Sequence, residues 1–202
     1  FKMFLPGVLI PLSSYLFYGE WHYIIMYSGI AADMIIPLFF SRRLKRSPIN
    51  LPHLAERFGA FVLIAFGESL VSVTNMLVNH TSDRHTLLFA VLSFCIISML
   101  WLSYFTAYDE IDHGRNTNGQ ILLYGHFFLL ISIMLFAGNI ELLYEGEIPE
   151  KILLIILYGS VLLFYISKHG IFYYHRPKEL QYIQKQVILL LLLLLSAFSL
   201  YY

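Results

Sequence analysis

Acids, bases and histidines inside apolar runs are the residues of this chain able to do chemistry, because at membrane depth an ionisable group must pair, neutralise or face water. The densest set is His53-Leu54-Ala55-Glu56-Arg57-Phe58-Gly59, followed by Gly67-Glu68-Ser69. On a helix His53, Glu56 and Arg57 fall at i, i+3 and i+4, so Glu56 can accept from either neighbour near the positive end of the helix dipole. Glu68 lies 11 residues beyond Arg57, which is roughly 16 Å deeper at about 1.5 Å per residue and nearly on the same face. Ser72, Asn75 and Asn79 extend a polar line from it, and Gly59 and Gly67 reduce the bulk beside it.

A lone carboxyl at that depth is a candidate for binding and releasing a proton as water reaches it. Asp33, in the middle of another apolar run, is expected to face protein, with Arg57 or a protonated Glu68 as partners. His126, in Tyr124-Gly125-His126, carries an imidazole that titrates near neutrality and can relay a proton, although a lone helical histidine is as well explained by packing. Glu141, after Gly138-Asn139-Ile140, closes the set, either at the site or snorkelling to the interface. The bland alternative for all of these groups is an interhelical hydrogen-bond network that only holds helices together. Tyr104, Tyr108, Tyr158, Tyr165, Tyr173 and Tyr174 read as interfacial or packing aromatics. His53-x-x-Glu56 offers two metal donors where a site needs three or four, so no metal and no cofactor is expected. Nucleophile elbows, His-Glu-x-x-His and phosphate loops are all missing from the sequence.

The elements that must position these groups follow from composition. The chain has 202 residues, 58% of them hydrophobic and 13% charged, with a mean hydropathy of +0.70, which excludes both a water-soluble globule and a disordered chain. Thirteen basic and thirteen acidic residues cancel, so nothing points to nucleic acid. The single cysteine, Cys95, excludes an internal disulfide. A helix needs roughly 20 residues to cross about 30 Å of hydrocarbon. About seven stretches approach that length: Met3–Tyr18, Trp21–Phe40, Leu54–Val78, Thr86–Tyr108, Gln120–Tyr144, Ile152–Ser167 and Ile183–Tyr202. No period-two alternation supports a barrel. The expected fold is therefore all-α, a polytopic transmembrane bundle forming a single domain over residues 1–202. The absence of an initiator Met and the apolar carboxyl end give the further expectation of a later portion of a longer chain.

If the spans alternate, Lys2, Arg42, Arg43, Lys45, Arg46, Arg115, Lys168, Arg176, Lys178 and Lys185 fall on one side and Arg84 and Lys151 on the other. Ten against two sets the expected orientation, since loops rich in Lys and Arg stay in the cytoplasm. The Arg42–Arg46 loop is then cytoplasmic, and the expected location is a bacterial plasma membrane.

His53-Leu54-Ala55-Glu56-Arg57-Phe58-Gly59 with Gly67-Glu68 resembles the His-x-x-Glu-Arg-x-Gly-Leu-Phe and following Gly-Glu pattern of the bacterial low-temperature-requirement A family. Gly125-His126 and Gly138 with Glu141 resemble its second motif, so the likeness extends over the chain. Ala60 stands where the family has Leu, and the family's early Glu-Leu-Phe-Phe-Asp-type segment, whose acids would be partners for Arg57 or Glu68, is missing. The resemblance implies a multi-pass membrane protein tied by name to growth in the cold, and it supplies no substrate or reaction.

Three functions remain open at this point. The first is transport or conduction of a small solute or proton, centred on Glu68 with Arg57, Glu56, His53, Asp33, His126 and Glu141 as coupling groups. The second is an intramembrane lipid-modifying enzyme using His53, Glu56 and His126, and the third is a structural or sensory module. The expected partners are the lipid bilayer and a small solute or proton; oligomeric state is left open.

Overall fold

The computed structural model describes residues 5–39, 49–79, 84–108, 119–145 and 148–172, with the isolated positions 188, 192 and 196. These residues form six α-helices and no strand: α1 (Leu5–Ser13), α2 (Glu20–Phe39), α3 (Leu51–Asn79), α4 (Arg84–Tyr108), α5 (Gln120–Glu145) and α6 (Glu150–Phe172), with a 3-10 turn at Ser14–Leu16.

Among the described residues five helices are long and apolar enough to cross a membrane: Glu20–Phe39, Leu51–Val78, Thr86–Tyr108, Gln120–Leu142 and Lys151–Phe172. Five of the seven expected stretches coincide with these helices. In the first expected stretch the described residues form the nine-residue α1 and the 3-10 turn, short of a spanning length. Pro11 inside α1 removes a backbone donor, and Gly19, at φ +70, takes the left-handed conformation before α2 starts. The seventh stretch, Ile183–Tyr202, lies outside the described residues except at 188, 192 and 196, and so do Lys2 and the Arg42–Arg46 loop.

Helix starts follow capping chemistry. The Asn50 side-chain oxygen accepts from the His53 backbone N–H at 3.3 Å, satisfying one of the orphan donors of the α3 first turn, and Pro52 sits where a missing donor matters least. At α6 the Pro149 carbonyl accepts from Ile152 N–H at 2.9 Å.

Contacts divide the chain into two units, residues 1–49 with 116–120 and residues 50–115 with 121–202. In the first, α1 packs on α2 where Gly29 faces Pro11. A Cβ at position 29 would stand 2.2 Å from the proline Cδ, so only glycine admits this contact. In the second, α3 to α6 share a core that includes Val62, Phe89, Ile96, Leu129, Phe136 and Phe164. Its outward faces carry large apolar side chains such as Ile64, Val91, Met134, Ile155 and Leu162, a surface suited to lipid and not to water. Hydroxyls inside these helices bond back to the preceding turn: Ser69 to the Ala65 carbonyl, Thr74 to Leu70, Thr106 to Leu102 and Ser160 to Leu157.

Candidate functional site

Two glycines bring the ends of four helices together. A Cβ on Gly125 of α5 would lie 2.3 Å from the Ile171 side chain of α6, and one on Gly59 of α3 would lie 3.2 Å from the Tyr108 ring of α4. Close approach at these two points seats His126 between α3 and α4. Its ring stacks on Phe58 at 4.5 Å between centroids and 14° between planes, and it is 1% exposed.

Both ring nitrogens are engaged. Nδ1 lies 2.7 Å from the Leu122 carbonyl, which can only accept, so Nδ1 carries a proton. In the neutral imidazole Nε2 is then the acceptor for the Tyr104 hydroxyl, 2.7 Å away. If His126 takes up a second proton, Nε2–H must donate to the Tyr104 oxygen instead, and the phenol proton must turn to another acceptor. The pair is thus a hydrogen bond whose direction reverses on protonation.

One turn away lies a buried cation donor that the sequence did not reveal. Lys168 of α6 is 2% exposed, donates to the Ser103 hydroxyl of α4 and reaches the Ser103 carbonyl at 3.4 Å. Its Nζ stands 4.6 Å from the centre of the Tyr165 ring, within cation–π range. The expectation that Lys168 belongs to a cytoplasmic loop beyond a span ending at Ser167 is corrected: α6 continues to Phe172 and turns this lysine into the core. The signal was present in the helical period, since Val161, Phe164, Lys168 and Ile171 form one buried stripe.

A family model for the bacterial low temperature requirement A protein (LtrA) matches residues 2–202. The chain belongs to the LtrA family. Comparison with curated proteins and with solved structures gives no significant match. Family membership and the apolar helices together make this LtrA chain a multi-pass integral membrane protein in contact with the bilayer.

The other residues singled out in the LtrA sequence are distributed as follows. His53 Nδ1 and Glu56 Oε2 are 3.6 Å apart with both side chains largely exposed, 71% and 77%. Arg57 and Glu68 lie on the outward face of α3, as does Asn75, whereas Ser72 is half-buried. The side chain of Asn79 is outside the described set. The structure therefore joins His126 to Tyr104 and Phe58, and His53 to Glu56; the hydrogen bonds of His126 do not go to Arg57 or Glu68. Asp33 belongs to the first unit. It is half-buried, and its Oδ1 is enclosed without a hydrogen-bond partner among the described residues. Glu141 is half-buried near the end of α5.

An apolar cleft of about 610 Å³ opens between α3 and α4, lined among others by Leu63, Phe66, Gly67, Phe94, Ser98 and Trp101. Gly67, beside Glu68, meets nothing within 4 Å of where a Cβ would be. Among the described residues no three His, Cys, Asp or Glu side chains gather as metal donors.

Proposed function

We propose that this LtrA-family protein moves a proton, or a small solute coupled to one, across the bilayer through polar groups inside its helices. The observation that carries the proposal is His126, buried within a crossing-length helix between a hydroxyl that can reverse its hydrogen bond and a carbonyl that fixes the tautomer. A proton arriving at Nε2 displaces the phenol proton of Tyr104 toward the next acceptor, and loss of a proton restores the starting arrangement. Each group thereby returns to its initial state, as a relay requires.

Glu68 is the acidic group of this scheme. It sits 17 residues into the 29-residue α3, near mid-helix, where a carboxylate facing hydrocarbon costs several kcal/mol. Protonation or a covering polar surface relieves that cost, and a group alternating between the two couples protonation to contact. Arg57, about three turns away on the same face, supplies the positive charge, with Glu56 and His53 at the helix start, and Asp33 and Glu141 are further candidate carriers.

The test is flux into proteoliposomes under a pH gradient, read with an enclosed pH-sensitive dye. We expect Glu68→Gln and His126→Gln each to cut the initial rate at least about tenfold, equivalent to about 1.4 kcal/mol in the barrier, with folding retained. Wild-type rates in both variants, or no proton movement by the wild type with any co-solute, would refute the proposal.

A further inference from the structure

The groups around Lys168 have no part in the proposed relay, yet an amine taken out of water is held in a core only against compensation. The Ser103 hydroxyl and the face of the Tyr165 ring supply neutral dipoles to it. The Tyr165 hydroxyl is itself enclosed: it approaches Ser103 but completes no hydrogen bond among the described residues.

Tyr165, Lys168 and His169 line a cavity of about 350 Å³ together with Ile166 and Ile188, all within the second unit. Its lining divides in chemistry, with an amine, an imidazole and a phenol able to donate to an anion and two exposed aliphatic side chains that suit hydrocarbon. Lys168 also lies four residues before the end of the crossing-length segment Lys151–Phe172, about 6 Å along the helix. The end of a crossing segment is where headgroups meet protein. Beyond it, residues 173–202 hold Arg176, Lys178 and Lys185 against the single acid Glu179, so the sequence at this end is positive.

We propose that this cavity binds the phosphate-bearing headgroup of an anionic membrane lipid, with the phosphate at Lys168 and an apolar part of the lipid against Ile166 and Ile188. Hydrogen bonds from an ammonium to a phosphate oxygen are charge-assisted and strong, and basic pockets between crossing helices are suited to such headgroups. A soluble phosphate would gain the charge contact but leave the two isoleucines without an apolar partner. A zwitterionic lipid would cover the isoleucines but bring a second cation toward Lys168. An anionic lipid satisfies both parts of the lining, and its binding does not depend on proton movement.

Native mass spectrometry of the purified full chain in detergent, titrated with equal amounts of phosphatidylglycerol and phosphatidylcholine of the same acyl chains, reads the preference. Phosphatidylglycerol should be retained at least about fivefold over phosphatidylcholine, the weight of one basic residue at an anionic headgroup. Lys168→Met, which keeps the length of the side chain without its charge, should lower that ratio several-fold. Ile188→Trp fills the cavity and leaves the contact of Lys168 with Ser103 in place; it should lower phosphatidylglycerol retention several-fold with the lipid-free melting temperature unchanged. It decides alone should Lys168→Met fail to fold. A wild-type ratio near one, or unchanged retention in either folded variant, would overturn the proposal. Inorganic phosphate should not displace the lipid; displacement at a concentration equal to that of the lipid would reassign the cavity to a soluble phosphate and overturn the lipid.

Discussion

At the scale of single residues, the chemistry of this protein turns on which polar groups have partners. Tyr104 binds both roles together, as a fully buried aromatic and as the hydroxyl facing His126. Tyr104→Phe keeps the packing but leaves Nε2 without its donor, and we expect it to destabilise the protein by about 1–3 kcal/mol, measured by thermal unfolding in detergent. Ser103→Ala removes the hydroxyl that accepts from buried Lys168 and should cost a similar amount, roughly 1.5–3 kcal/mol if the amine is charged. His53→Ala is the contrast: its pairing with Glu56 is largely in the open, so a change below about 0.5 kcal/mol is expected. Residue types and spacing marked His126 as a relay candidate, whereas Tyr104 looked like one packing aromatic among several. A hydrogen bond between residues 22 apart leaves no trace in local sequence.

At the scale of elements, helix contacts hinge on small residues. Gly125→Val would drive a branched side chain into Ile171, where even a Cβ stands 2.3 Å from its nearest atom. Overpacking of this kind typically costs 1–3 kcal/mol, and separation of α5 from α6 should also disturb the seat of His126. Melting temperature and proton flux should therefore fall together in that variant. Gly29→Ala meets the ring and backbone nitrogen of Pro11, which cannot swing aside, so α1 should detach from α2; increased proteolysis within residues 5–16 is the expected readout. Hydropathy placed α2 to α6 because an unbroken apolar run of spanning length has few other stable forms in lipid. It set the end of α6 too early because Lys168 and His169 break the apolar run without breaking the helix.

At the scale of the whole molecule, the multi-pass architecture is common to the LtrA family match and the five crossing-length helices, while orientation rests on charge. With Lys168 moved from loop to core, and with Lys2 ahead of α2 on the opposite side because the first stretch is too short to cross, the Lys and Arg count becomes eight against three, still a bias. In a Cys95→Ala background, Ser47→Cys should react with an impermeant maleimide only from the cytoplasmic side and Ser82→Cys only from the outside. The reverse pattern would invert the proposed topology.

The amino-acid sequence by itself determined that this chain lives in lipid, that it crosses as helices, that it belongs with LtrA proteins and that a handful of ionisable groups lie in its apolar runs. Those properties are one-dimensional: they depend on the length, oiliness and local spacing of segments, and lipid admits few backbone solutions for them. Only the tertiary structure decided that Lys168 and His126 point into the α3–α6 core while Glu68 and Arg57 point out of it, and that Tyr104, Ser103 and Phe58 are the partners. The rotation of each helix about its own axis depends on the packing of side chains far apart in the chain, such as Gly125 against Ile171, and an all-round apolar helix carries little periodic signal to fix that rotation in advance.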